Sequence, residues 1–465
     1  MLETDASTAC CTCTEPLERV THPVPVEWDV HNMIKHFPRS WHADEPRRHW
    51  EMLQHCEKVM FPKPLPDIPL PTREARFYWH LYEASARHES FYQDELNKTI
   101  LSALYRMINR GKSSKEVILS DRLFRLNTFD YLSRKNLVNG LEKYISQQRR
   151  IESFCIEGLG LTRKEGLRLV TALFNSRKTV TNFYCWRAFK RAEGPLLVDT
   201  GHLAGSGLYK DRVPRKWDWF TAIGCLEALT TLSMNYAYLA TPDGDLLIAF
   251  SKKIGLHWHW LQLLCLPEEI PKITDPGDGV GGYAIPDLAW MEAKLWAPCL
   301  KVQFVFVGIP EHEKHRKFLT KHTPVHSFIM STDIDLRFRQ PWYLGCTMKM
   351  IWTWYPKTLV YIYLQLWHHR EIFDTELRKL FPLLPKLKVF EFVGEIRRIE
   401  TLCAMCCQIR DEVCKVNHLS FQLQDPIADQ RSREEWKRDI NGLINCFRDT
   451  FKEMNVKFEV SFYSC

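Results

Sequence analysis

The chain has 465 residues, 45% apolar and 26% charged, which excludes wholesale disorder. That length sets a prior of about three domains, or fewer if one is a repeat array. A net charge of +7 is thin for such a chain and gives no basis for a nucleic-acid or membrane-surface partner. Sixteen cysteines pose one question: disulfides, metal or core.

The N-terminal stretch, MLETDASTACCTCTEPLERV, has neither the basic region nor the apolar region of a secretory signal. The greasiest run, Leu359 to Leu366, falls well short of the ~18 apolar residues that span a bilayer. The expectation is an intracellular protein, cytoplasmic or nuclear, with no membrane partner. Its cysteines are then mostly reduced and pack as small core residues.

In chain order, residues 1–23 read as a disordered tail and residues 24–61 as a small helical segment. Five prolines between Pro62 and Pro71 mark a linker over 62–75, because they favour extended backbone and break helices. Residues 76–465 carry the repeat. Its template is apolar-x-x-apolar-x-apolar, the strand signature of leucine-rich repeats. Copies start at Ile151, Val180, Leu229, Trp258, Val325, Leu359, Leu387 and Val416, with a weaker one at Cys299. Most steps between starts lie near the ~20–29-residue period of that class, with two long insertions.

Helical stretches separate the strands. Leu137, Leu141, Tyr144 and Ile145 share one helical face, as do Leu377, Leu380, Phe381 and Leu384. The predicted fold is therefore an α/β leucine-rich-repeat solenoid, with parallel strands on the concave face and helices outside. No unit of such an array buries its own apolar face, so neighbours must stack.

In the template, the residue between the last two apolar positions points away from the core, onto the concave face. Those residues are Cys155, Tyr184, Ser233, Gln262, Gln303, Ile329, Tyr363, Glu391 and Ser420. Low charge and two tyrosines suit protein binding, since interface cores favour aromatics and exclude charge. The insertion from Trp186 to Cys225 adds a basic loop at the edge of this row, carrying Arg187, Lys190 and Arg191.

Catalytic and metal motifs carry less weight. Gly277 to Gly282 matches G-x-G-x-x-G, but prolines separate it from the preceding strand, so it reads as a loop between repeats. Cys403, Cys406, Cys407 and Cys414 suggest zinc, yet Cys403 and Cys407 have the spacing of a buried helical face and no second C-x-x-C lies nearby. His257 and His259 alternate with Trp258 and Trp260 along an expected strand, without a carboxylate at ligand spacing. No cofactor, metal or catalytic residue is assigned, and the expectation is a non-enzymatic protein.

Two stretches resemble the divergent leucine-rich-repeat F-box proteins. One is ITDPGDGVGGYAIPDLAW with LWAPCLKVQFVFVGI (Ile273 to Ile309), and the other is KTLVYIYLQLWHHREIFDTELRKLFPLLPKLKVFEF (Lys357 to Phe392). The C-terminal KFEVSFYSC is similar to that family's closing strand. The resemblance implies an F-box followed by a repeat domain, and a substrate-recognition role in a Skp–cullin–F-box ubiquitin ligase. Its partners would be a Skp-type adaptor, the cullin scaffold and an unknown protein substrate, with no nucleic acid. It assigns adaptor docking to Val26, Val30, Ile34, Phe37, Trp50 and Leu53. The F-box Leu-Pro opening is missing, and Pro38 and Pro46 leave little room for a middle helix. A helical cap on the first repeat would bury the same residues, so both readings stay open. A plain interaction scaffold without any ligase role is the alternative function.

Overall fold

The computed structural model describes residues 114–120, 131–189, 217–241, 243–267, 284–332, 342–366, 373–424 and 430–463. The adaptor-docking candidates Val26, Val30, Ile34, Phe37, Trp50 and Leu53, the proline-rich segment and the glycine-rich loop lie outside them. Most of the basic insertion does too.

Among the described residues, eleven strands form one sheet in strict chain order, and every pairing is parallel. The strands are β1 (Glu116–Ser120), β2 (Ser153–Glu157), β3 (Asn182–Cys185), β4 (Thr231–Asn235), β5 (Trp260–Cys265) and β6 (Lys301–Val307). They continue as β7 (Val325–Ser331), β8 (Tyr361–Gln365), β9 (Val389–Glu395), β10 (His418–Gln424) and β11 (Lys457–Tyr463). Sequential order with parallel pairing requires a crossover after each strand. The described crossovers are helical, giving a solenoid-like α/β arrangement.

Each of the nine template copies contains a strand, from β2 to β10. The strand β1, EVILS, is too short to carry the template and was not anticipated. Inward residues form an apolar ladder: Phe154 stacks on Phe183 at 5.8 Å and Phe306 meets Phe328 at 5.5 Å. Farther along, Phe390 meets Phe421 at 5.9 Å.

Helices cover this ladder. The first, α1 (Tyr131–Gln147), buries Leu137, Leu141, Tyr144 and Ile145, as its spacing predicts. It is followed by α2 (Arg163–Ala172), α3 (Trp217–Ile223), α4 (Tyr236–Leu239) and α5 (Asp245–Ile254). Then come α6 (Asp287–Trp296), α7 (His312–Phe318) and α8 (Leu344–Trp354). The last are α9 (Asp374–Leu383), α10 (Ile399–Arg410) and α11 (Gln430–Glu453). Phe183 of β3 meets Trp219 of α3 at 6.2 Å, and Phe306 of β6 meets Phe318 of α7 at 5.5 Å. Phe390 of β9 meets Phe381 of α9 at 5.9 Å.

Polar ties link successive helices. Thr162 and Glu165 form a capping box at the start of α2, and Arg134 of α1 reaches across to Glu165 through Nε at 2.8 Å. Asp374, at the start of α9, is buried. Its carboxylate accepts from the Arg398 N–H and the Thr401 hydroxyl, each at 2.9 Å, where α10 begins. The Arg398 N–H is one of the orphan backbone donors at that helix N-terminus, and the Thr401 hydroxyl is a side-chain donor beside it.

Two expectations need correction. Among the described cysteines only Cys185, Cys265, Cys406 and Cys414 are buried. The buried face of α10 is set by Leu402, Met405, Cys406 and Ile409, which leaves Cys403 and Cys407 off its centre and half-buried. His257 ends a short 3₁₀ turn, and β5 starts only at Trp260, so His257 and His259 do not alternate along a strand. Gly255, with φ +62°, ends α5 there and resets the backbone.

Candidate functional site

Strand alternation puts every second residue on the face opposite the helices. The register resolves this face into two rows. The first runs Ile118, Cys155, Tyr184, Ser233, Gln262, Gln303, Ser327, Tyr361, Val389, His418 and Lys457, from β1 to β11. The second lies two residues farther along each strand: Asn235, Leu264, Val305, Ile329, Tyr363, Glu391, Ser420 and Glu459.

The single row expected from the template is therefore split. Tyr184, Gln262 and Gln303 belong to the first row, and Ile329, Tyr363 and Glu391 to the second. The break lies between β6 and β7, where Val302 pairs with Val325 but Gln303 pairs with Ser327. One extra residue of β7, His326, is left over at this irregularity. Val302, Phe304 and Phe306 all point inward from β6, so the template fits either consecutive pair. A two-residue slip keeps every side chain on its face, and spacing alone does not detect it.

The middle of the first row is sealed from solvent. Ser233 and Gln303 are 0% exposed, Ser327 1% and Gln262 5%. Gln262 Nε2 donates to Gln303 Oε1 at 3.1 Å. That bond leaves Gln262 Oε1 and Gln303 Nε2 without a hydrogen-bond partner among the described residues, and Ser233 Oγ and Ser327 Oγ are unpartnered as well. Thr231 Oγ1, two residues before Ser233 on the same face, is a further one. Sequence reading included Ser233 but missed Ser327 and Thr231. Counting two residues back from each template position would have exposed both.

The second row carries two carboxylates, Glu391 and Glu459, and one tyrosine, Tyr363. The Tyr361 hydroxyl donates to Glu391 Oε1 at 3.2 Å. Burial and the neighbouring Glu391 hold the Tyr363 phenol above its usual pKa. At one end of the face Lys301 Nζ sits 5.4 Å from the Trp260 ring centroid, and the His326 imidazole meets that ring edge-on at 5.1 Å. Burial, then the charge of Lys301, lowers His326 to a pKa of about 4, so it is neutral at pH 7.

This arrangement supplies hydrogen bonds. Ser233, Gln262, Gln303 and Ser327 offer hydroxyls and amides, groups that hydrogen-bond without titrating near neutrality. A second concavity of about 630 Å³ is lined by Arg378, Arg397, Arg398 and Trp436. Two of its guanidinium groups are engaged: Arg378 Nε donates to the Thr401 hydroxyl at 3.1 Å and Arg397 Nε to Glu395 at 2.7 Å.

Among the described residues, no three His, Cys, Asp or Glu side chains gather to hold a metal ion. Nor is any described helix long and apolar enough to cross a membrane. No protein-family model and no curated protein matches the chain.

Proposed function

We propose that the chain is a non-enzymatic recognition subunit that binds a protein partner on the face of its sheet opposite the described helices. What supports this reading is the composition of the row Tyr184, Ser233, Gln262, Gln303 and Ser327, aromatic or polar and uncharged across β3 to β7. Interface cores favour aromatic and neutral groups over charged ones. The repeat class we propose is the leucine-rich repeat, supported by the template copies from β2 to β10. The F-box resemblance extends the proposal to substrate recognition in a Skp–cullin–F-box ubiquitin ligase, with Val26, Val30, Ile34, Phe37, Trp50 and Leu53 docking the adaptor. The missing Leu-Pro opening favours a second reading, an interaction scaffold that never meets the ligase.

Co-purification of the full chain with a Skp-type adaptor tests the choice. The ligase reading expects the adaptor in the wild-type eluate and its loss in Ile34→Asp and Trp50→Ala. No adaptor with the wild type leaves the scaffold.

A further inference from the structure

A stacked array leaves its last strand with a bare edge unless a cap covers it. The two ends of this sheet differ. At β1 the inward Val117 and Leu119 are 4% and 6% exposed, so the chain itself covers them. At the other end Leu419, Phe421 and Leu423 of β10 are at most 1% exposed, yet their register partners in β11, Phe458, Val460 and Phe462, are only half-buried. From α11, Phe451 meets Phe458 at 5.0 Å and Trp436 meets Phe462 at 5.7 Å. Among the described residues no strand follows β11.

The backbone of this edge is as defined as its side chains. The Lys457 N–H donates to the Asn417 carbonyl, on the β10 side, at 2.8 Å. An extended residue points its N–H and C=O to one side, and the side alternates along the strand. Lys457, Glu459 and Ser461 therefore bond to β10, while Phe458, Val460 and Phe462 turn their N–H and C=O groups away from it. The strand has seven residues, no proline and an unbroken register, so only Lys457 and Glu459 blunt the edge. Those two side chains are exposed and pair with each other at 3.1 Å.

A second copy of the chain complements this edge. Two β11 strands set antiparallel about a twofold axis through Val460 place Val460 opposite Val460, Phe458 opposite Phe462, Glu459 opposite Ser461 and Lys457 opposite Tyr463. Every residue of the strand is paired, each pair of outward residues exchanges two hydrogen bonds, and no like charges meet. An axis through Glu459 sets two carboxylates face to face. An axis through Phe458 or Ser461 shortens the overlap. A head-to-tail contact on β1 meets a strand whose apolar side chains are already covered.

We infer that β11 is a self-association edge, through which two copies of the chain pair antiparallel about Val460 and join their sheets. On the helix side Phe458 of each copy packs against Phe462 of the other. The contact is isologous, so it closes on itself and the assembly stops at a dimer. The inference rests on the sheet edge and is independent of adaptor or substrate binding.

The test is analytical ultracentrifugation of the full chain across micromolar concentrations. Reducing buffer excludes dimers linked through the exposed Cys446. The wild type is expected to pass from monomer to dimer. Val460→Pro removes an outward N–H that β10 does not use, a substitution that sheet edges tolerate. It is expected to weaken the dimer about tenfold or more. Ser461 is exposed and lies opposite Glu459 of the other copy. Ser461→Glu is expected to weaken the dimer about threefold or more, and Ser461→Lys to tighten it by a similar factor. These two surface variants decide the matter even if Val460→Pro fails to fold. A wild type that stays monomeric overturns the inference, as does a dimer whose affinity does not follow the sign of the charge placed at Ser461.

Discussion

Replacing Gln262 and Gln303 by methionine, singly and together, should change stability in opposite directions. Methionine keeps the unbranched shape of glutamine and removes its polar atoms. The wild type has one Gln262–Gln303 hydrogen bond and two orphaned amide atoms. A single Gln303→Met deletes one orphan but strands Gln262 Nε2, so two orphans remain and the bond is lost. With a net hydrogen bond near 1 kcal/mol, each single variant should be about 1 kcal/mol less stable than wild type. The double variant has no orphan. Each buried unpaired polar atom costs ~1–3 kcal/mol, so removing two outweighs the lost bond and leaves the protein roughly 1–5 kcal/mol more stable. Urea denaturation followed by tryptophan fluorescence reads this as two midpoints below wild type and one above. An additive cycle, with the double variant weakest, would refute the orphan assignment.

Other outcomes follow from buried polar groups elsewhere. Asp374→Ala strands the Arg398 N–H and loosens the buried Thr401, costing about 3 kcal/mol in denaturation. Asp374→Asn keeps one acceptor and should cost about half as much; equal losses would contradict the capping role. Burial holds His315 at a pKa of about 3 and His326 at about 4, both below the ordinary 6.5. Unfolding lets each bind a proton below pH 6.5 that the fold refuses. Stability should therefore fall between pH 7 and pH 5, by about 2 kcal/mol for each histidine. His315→Gln/His326→Phe should flatten that slope, and a wild-type midpoint that stays constant from pH 7 to pH 5 would contradict it.

Much of the architecture was legible because it depends on local spacing. Leu137, Leu141, Tyr144 and Ile145 mark α1, and the template marks β2 to β10, since helical and strand periods are carried by neighbouring residues. Strand alternation likewise put Tyr184, Gln262, Gln303, Ile329, Tyr363 and Glu391 on the face away from the helices. What spacing could not determine was pairing. A shift of two residues leaves every side chain facing the same way, so the break between Gln303 and Ile329 became visible only from the hydrogen-bonded register of β6 and β7. Burial was equally non-local. Gln262 and Gln303 lie 41 positions apart, yet one bond joins them and two of their atoms are left over. Whether an amide is satisfied depends on what surrounds it in three dimensions, and only the tertiary structure decided that.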